Sequence, residues 1–179
     1  RFGHTIQPHR CPPSRLPLYL RLGRPGSDHR GWATGPMDAK SSLKSKLPSR
    51  HATEGPDRAP HRAFYYAMGL TTEQIHQPFV GVATCWNEAA PCNIALMRQA
   101  QVVKRGVAAV GATPREFCTI TVTDGIAMGH AGMKASLPSR EVIADSVELT
   151  VRGHAYDALI GLAGCDKSQP AMMMAMCRL

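Results

Sequence analysis

Three short apolar runs have the composition of buried strands. They are residues 78–84 (PFVGVAT), 117–123 (FCTITVT) and 157–163 (DALIGLA). Short apolar runs bounded by polar residues or turn signals are typical of strands inside a sheet. We therefore predict three strands in the part of the chain that follows residue 59, where the pattern becomes regular.

The segment between the first two runs has the periodicity of a helix. In residues 93–110 apolar side chains recur every three or four positions, the spacing of one helical face. This face is predicted to consist of Leu96, Ala100, Val103, Val107 and Val110. Gly111 is expected to end the helix.

A second long helix is predicted from Ser139 to about Arg152. Serine is a preferred capping residue, and Glu141 would lie favourably in the positive first turn. The inward face is predicted to consist of Val142, Ile143, Val147 and Val151. Shorter helices are predicted at residues 62–69 and 171–179.

The order strand, helix, strand, helix, strand predicts an α/β fold. Consecutive strands joined by helices form right-handed crossovers, so the three strands should make a parallel sheet with crossover helices. Ligands of such sheets bind beyond the carboxyl ends of the strands. The loops that follow the three strands are therefore where chemistry is expected.

Residues 1–36 show neither helical nor strand periodicity and are dense in Pro, Gly, Arg and His. Residues 1–62 hold 12 basic and 4 acidic residues, which accounts for the whole net charge of +8, because residues 63–179 hold nine of each sign. We predict that residues 1–36 are a disordered basic tail and not natural coding, and that the natural chain starts at Met37. A targeting segment is the alternative for this tail.

Charge and cysteine usage narrow the class of protein. A basic tail could bind nucleic acid, but no nucleic-acid-binding motif accompanies it, so we do not expect that partner. The six cysteines form no CxxC pair, which argues against a zinc ribbon or a thioredoxin motif. Neither a secretory signal nor an apolar run of about 18–20 residues is present, so we expect a cytoplasmic protein with no membrane partner.

Potential metal ligands follow each predicted strand. The loops read CWNEAAPCN (85–93), TDGIAMGHAGM (123–133) and GCDKSQP (164–170). Because the carboxyl ends of parallel strands share one edge of a sheet, the three loops should lie together.

The triplet Cys165-Asp166-Lys167 combines a soft thiolate with a hard carboxylate and an amine. Thiolates select iron–sulfur, zinc or copper, whereas carboxylates select magnesium or manganese, so the triplet suggests two adjacent centres. An ordinary alternative is a buried cysteine, an aspartate that caps a helix and a solvated lysine.

Cys92, Asp124 and His130 also have two interpretations each. Cys92 follows a proline at the predicted start of a helix, where a thiolate is favoured, but cysteines there are also often simply packed. Asp124-Gly125 could be a turn instead of a ligand site. His130 could be a base or a hydrogen-bonding partner. The remaining cysteines of the folded part, Cys85, Cys118 and Cys177, are predicted to lie in the core.

Three blocks of the chain carry a family resemblance. ATCWNEAAPCN, TVTDGIAMGHAGMKASLPSREVIADSVE and GCDKSQPAMMMAM resemble, in order and spacing, the dihydroxy-acid and 6-phosphogluconate dehydratases. The resemblance covers about residues 45–179 and is stronger to the dihydroxy-acid branch. It implies that residues 37–179 are an incomplete amino-terminal domain of a larger two-domain enzyme, which forms a homodimer at full length.

The resemblance also implies a set of ligands. Cys92 and Cys165 would bind a 2Fe–2S cluster, and Asp124 and Asp166 would bind Mg²⁺. Lys167 would be carboxylated by CO₂, so that its carbamate also binds Mg²⁺. A carbamate is the kind of anionic oxygen ligand that magnesium prefers, whereas an ammonium is repelled by the metal.

Two features depart from the family pattern. Ala171 stands where the family has glycine after Pro170, and it would strain the loop if that glycine supplies a positive φ. Cys85 stands where the family has a small residue similar to serine. The third cluster cysteine, a further magnesium carboxylate and the serine base of the family would all lie downstream, so no catalytic base is expected within this chain.

The implied activity is that of a hydro-lyase. It would dehydrate 2,3-dihydroxy acids (2,3-dihydroxyisovalerate and 2,3-dihydroxy-3-methylvalerate) to 2-keto acids in valine and isoleucine biosynthesis. A sugar-acid dehydratase of the same family, acting on arabinonate or xylonate, is one alternative, and a non-catalytic fragment whose basic tail binds nucleic acid is another. We expect this chain alone to be inactive.

Overall fold

A four-stranded sheet forms the centre of the chain. The computed structural model describes residues 19–22 and 43–179. In strand order, the sheet consists of β1 (Tyr19–Leu22), β4 (Ala158–Leu162), β2 (Phe79–Thr84) and β3 (Thr113–Cys118). β2 is parallel to both β3 and β4, which confirms the predicted α/β fold with a parallel sheet.

Seven α-helices occur within residues 50–178. They are α1 (Arg50–Thr53), α2 (Ala59–Ala67), α3 (Thr72–His76), α4 (Leu96–Ala109), α5 (Asp124–Ala127), α6 (Ser136–Gly153) and α7 (Ser168–Arg178). Because α4 follows β2 and α6 precedes β4, the helices provide the crossovers that the pattern predicted. No helix within residues 43–179 is both long and apolar enough to cross a membrane.

β1 was not expected from the sequence. Its four residues pair antiparallel with β4, with Leu22 opposite Ala158. The sheet is therefore mixed, with three parallel strands and one antiparallel edge strand. Apart from this strand, the prediction of a disordered tail over residues 1–36 falls on residues outside those that the structure describes.

The second strand begins and ends earlier than predicted. β3 covers residues 113–118 instead of 117–123, since its partner β2 ends at Thr84. Thr119 still donates its backbone N–H to the Thr84 carbonyl (2.9 Å), and residues 120–123 then continue as loop. β3 is an edge strand, where Pro114 is tolerated because its missing N–H is not needed on the open side.

Two details of the long helices were wrong. Val110 and Val142, both assigned to inward faces, are 75% and 51% exposed, because α4 ends before Val110 and α6 turns Ala144 inward instead of Val142. α6 starts three residues before Ser139, whose hydroxyl donates to the Ser136 carbonyl (2.5 Å) and caps nothing. Glu141 accordingly lies beyond the first turn and pairs with Arg178 of α7 (2.8 Å).

The largest core cluster packs β2 and β4 against α4, α6 and α7. Its fully buried members include Val82, Leu96, Ile143 and Val147. A methyl group at Gly161 of β4 would lie 2.8 Å from the Met176 side chain of α7, so the glycine lets this helix approach the sheet closely.

A polar network holds the segment before α1 against the amino-terminal end of the sheet. Asp157 accepts hydrogen bonds from the backbone N–H (2.8 Å) and hydroxyl (2.6 Å) of Ser49 and from the backbone N–H of Phe79 (2.7 Å). Lys44, only 2% exposed, donates to the Gln77 carbonyl (2.7 Å) and lies 4.4 Å from the centre of the Phe79 ring. This network lies at the amino-terminal ends of the parallel strands, whereas the candidate site lies at their carboxyl ends.

Candidate metal centre

The loops after the three parallel strands start side by side. Thr84, the last residue of β2, is in register with Cys118 of β3 and Leu162 of β4. Cys85 extends this pairing by donating its N–H to the Leu162 carbonyl (3.1 Å). All three loops therefore leave from one edge of the sheet, as predicted.

Lys167 lies between the two predicted magnesium carboxylates. Its ammonium donates to Asp166 Oδ2 (2.6 Å) and to Asp124 Oδ2, although Asp124 belongs to a different loop. The other Asp124 oxygen accepts a hydrogen bond from the Ser136 hydroxyl at the start of α6. Carboxylate oxygens from two loops thus converge on one point of positive charge.

The ion pairs stabilise the charged forms of both partners. Hydrogen bonds, first from Lys167 and then from Ser136, lower the pKa of the Asp124 carboxyl to about 2. Hydrogen bonds to Asp124 and Asp166 raise the pKa of the Lys167 ammonium. Without a metal, this arrangement favours ionised aspartate and protonated lysine.

Cys165 is buried directly after β4. Its Sγ donates to the hydroxyl of Thr123 (3.3 Å), the residue that precedes Asp124. Its backbone N–H donates to the hydroxyl of Ser168 (3.1 Å), which in turn donates to the Cys165 carbonyl (3.1 Å). The thiol of the third loop is thereby held against Thr123, the neighbour in sequence of the second loop's carboxylate.

Cys92 is exposed, and its backbone lies against the third loop. A methyl group at Gly164 would be only 2.8 Å from the Cys92 carbonyl carbon and would also clash with the carbonyl oxygen. By covalent geometry this contact keeps the α carbons of Cys92 and Cys165 within about 10 Å of each other. Cys92 does not lie in a helix, however, because α4 begins four residues later, at Leu96.

Asn93 is a buried residue of the site that the sequence did not reveal. Its amide nitrogen donates to the Cys85 carbonyl (2.5 Å) and to the Thr121 hydroxyl (3.1 Å). Its Oδ1 is buried and has no hydrogen-bond partner among the described residues. Ser136 and Ser168 were also missed, since a serine in a loop or first turn carries no signal that distinguishes it from a capping residue.

His130 holds its own loop together. Its Nδ1 accepts from the Gly132 N–H (3.0 Å), so Nε2 carries the proton and donates to the Ile126 carbonyl (2.9 Å). Of the two interpretations of His130, these contacts favour the hydrogen-bonding partner.

The remaining cysteines are only partly as predicted. Cys85 is fully buried, and burial raises the pKa of its thiol to about 11. Cys118 and Cys177 are exposed, so their assignment to the core was wrong. Cys118 ends an edge strand, and Cys177 lies on the outer side of α7.

Ala171 causes no backbone strain. It is buried within α7, and its N–H donates to the Lys167 carbonyl (3.3 Å). Ala155 is the one non-glycine residue of the described chain with a positive φ, so the loop that carries Cys165 does not need a glycine at position 171.

The donor sets fit parts of two metal sites. Two carboxylates bind the Lys167 ammonium, and oxygen ligands of this kind suit a hard metal. The backbones of the two loops that carry Cys92 and Cys165 are in contact, and thiol ligands suit a soft metal. Within residues 43–179, no three His, Cys, Asp or Glu side chains are close enough together to bind a metal by themselves. Each site would therefore need additional ligands.

Comparison with known proteins gives a consistent result. Residues 77–179 match the family model described as dihydroxy-acid/6-phosphogluconate dehydratase N-terminal. The chain is 82% identical over 143 residues to dihydroxy-acid dehydratase 2 of Bradyrhizobium diazoefficiens and 80% identical over 143 residues to dihydroxy-acid dehydratase of Parvibaculum lavamentivorans. The dihydroxy-acid dehydratase of Metallosphaera sedula is 58% identical over 137 residues. These matches cover 76–80% of this chain but only about a quarter of each relative.

Proposed function

The chain belongs to the dihydroxy-acid/6-phosphogluconate dehydratase family, and we propose that it forms part of an active site that dehydrates 2,3-dihydroxy acids to 2-keto acids. The observation that carries the proposal is the convergence of Asp124 and Asp166 on Lys167 next to the buried thiol of Cys165. The names of the similar relatives support the same reaction. The proposed substrates are the branched dihydroxy acids of valine and isoleucine biosynthesis.

Asp124, Asp166 and Lys167 would hold Mg²⁺. Ser136 fixes one oxygen of Asp124, which leaves the other to point at the cation position that the ammonium takes up. For Lys167 to become a ligand, its neutral amine nitrogen must form a bond to the carbon of CO₂ and lose a proton. Both aspartates oppose this reaction because they stabilise the ammonium. Carboxylation should therefore require a metal ion that binds the aspartates in place of the ammonium.

Cys92 and Cys165 would supply two ligands of a 2Fe–2S cluster. Together, the bound cluster and Mg²⁺ would supply Lewis acidity towards the hydroxyl groups and the carboxylate of a dihydroxy acid. The chain's own contribution is to orient the ligands, through Ser136 for Asp124 and Thr123 for Cys165. We propose that the base that removes the C2 proton lies outside this chain. The full-length protein is proposed to be a cytoplasmic homodimer.

Complementation tests the proposed reaction. A full-length gene that contains this chain should restore growth of a valine/isoleucine auxotroph, and its Asp124→Asn variant should not. The control is Asp145→Asn, because Asp145 is an exposed carboxylate of α6 that pairs with Arg178 and lies outside the site. Growth on arabinonate or xylonate without rescue of the auxotroph would show a sugar-acid dehydratase instead.

A further inference from the structure

Asn93 connects the three loops of the candidate site. Its side-chain nitrogen donates to the carbonyl of Cys85, in the loop after β2, and to the hydroxyl of Thr121, in the loop after β3. Its Oδ1 lies 2.9 Å from the position of a methyl group on Gly164, in the loop after β4. The Asn93 side chain therefore lies against one residue in each of the three loops, and each of these loops carries a proposed metal ligand.

The orientation of this amide is fixed. Both of its N–H groups are used, and turning the amide over would place Oδ1 against the Cys85 carbonyl, where two acceptors repel each other. Asn93 is fully buried and its Oδ1 has no hydrogen-bond partner within residues 43–179, which is costly for a group that contributes only to packing.

We propose that Asn93 is a positioning residue that sets the separation of the Cys92 and Cys165 thiols. Cys92 directly precedes Asn93, so the side-chain bonds of Asn93 anchor the backbone that carries the Cys92 thiol. Gly164, which precedes Cys165, packs against the same backbone. This inference rests on the proposed function, since it assumes that the two thiols bind one soft metal centre.

The chain offers a matched control in Asn87. Its amide also donates to the Cys85 carbonyl (3.1 Å), and its Oδ1 accepts from the N–H groups of Ala89 and Ala90. All of these contacts stay within the loop after β2. Asn87→Ala therefore removes hydrogen bonds of the same kind without releasing one loop from another.

Cobalt binding to a full-length protein that contains this chain, and with it the additional ligands, tests the proposal. Co²⁺ would be titrated anaerobically into reduced protein, and its dissociation constant read from the thiolate-to-cobalt charge-transfer absorption. We expect Asn93→Ala to weaken binding tenfold or more, the usual effect of removing a group that orients a ligand. Asn87→Ala should change it less than twofold, and Thr121→Val, which breaks one of the two Asn93 bonds, should give an intermediate loss. Urea unfolding of each variant would measure its stability separately.

The possible outcomes separate this proposal from the proposed function. Equal cobalt affinity of Asn93→Ala and wild type, while Cys92→Ser and Cys165→Ser each lose the absorption band, would overturn the role of Asn93 alone. A band that survives both serine substitutions would overturn the shared thiol site and the role of Asn93 with it. If Asn93→Ala does not fold, Thr121→Val decides, and wild-type affinity in that variant would contradict the proposal.

Discussion

Gly164 packs directly against the peptide carbonyl of Cys92. The position of a Cβ atom on Gly164 is 2.8 Å from the carbonyl carbon, a distance that side-chain carbons do not tolerate. Since the obstructing group is backbone, it cannot move aside by a change of rotamer. The absence of a side chain at position 164 is therefore what allows the loops after β2 and β4 to touch.

Gly164→Ala should separate these loops and destabilise the chain. Overpacking of this kind typically costs about 1–3 kcal/mol, which urea unfolding would measure. Gly106→Ala is the control, because Gly106 lies in α4 with no atom within 4 Å of its added methyl group. That variant should be stabilised by roughly 0.5–1 kcal/mol through helix propensity. A Gly164→Ala variant as stable as wild type would show that the loops are not in contact.

Ala155→Gly should stabilise the chain. Ala155 follows α6 with a φ of 52°, in the left-handed region that glycine adopts without steric cost. We expect a gain of about 0.5–1 kcal/mol in the free energy of unfolding. Ala108→Gly, at an exposed position inside α4, should instead lose a similar amount. If both substitutions destabilise the chain, residue 155 does not have a left-handed conformation.

Lys44 should make stability rise with pH above about 8. Burial lowers the pKa of its ammonium from 10.5 to about 8, against the opposing attraction of Asp157 and Glu54. Between these two values the unfolded chain binds more protons than the folded chain, so the free energy of unfolding increases with pH, by at most about 3 kcal/mol in total. Below pH 8 the full cost of burying the charge is present.

The measurement for Lys44 is a comparison with Lys44→Met. Urea unfolding at pH 7.5 and at pH 9.5 should show a larger increase in stability for wild type than for the variant. Other groups that ionise in this range cancel in the difference, because both proteins contain them. Parallel pH profiles would mean that Lys44 is not buried in the folded chain.

Much of the fold could be predicted because its signals are local. The apolar runs of β2 and β4 were located to within one residue, and parallel strands bring their following loops together whatever the loops contain. The limits of β3 were missed because they depend on its register with β2, in which Cys118 is paired with Thr84, and the run of apolar residues at 117–123 does not show that register.

The supporting residues of the site could not be predicted for a related reason. Asn93 bonds to a residue 28 positions away, and Asp124 pairs with a lysine 43 positions away. Ligand types could be recognised from the residues themselves, whereas the groups that orient them are ordinary serine, threonine and asparagine side chains. Their role follows only from contacts that the folded sheet creates.

Lys167 should resist carboxylation until Mg²⁺ is present. Carbamate formation needs the neutral amine, but hydrogen bonds to Asp124 and Asp166 raise the pKa of this lysine and keep it protonated. A full-length protein that contains this chain, freed of metal and incubated with ¹³C-labelled bicarbonate at pH 7.5, should therefore give no carbamate carbon signal, and addition of Mg²⁺ should produce one. Lys167→Arg should abolish that signal, while Lys134→Arg, at an exposed lysine in the 3₁₀ turn before α6, should leave it unchanged. Asp124→Asn should lose the magnesium-dependent signal as well, because a metal ligand is removed. An equally strong signal without Mg²⁺ would show that the two aspartates do not hold the ammonium, and that the carboxylates and the lysine are not arranged as a magnesium site.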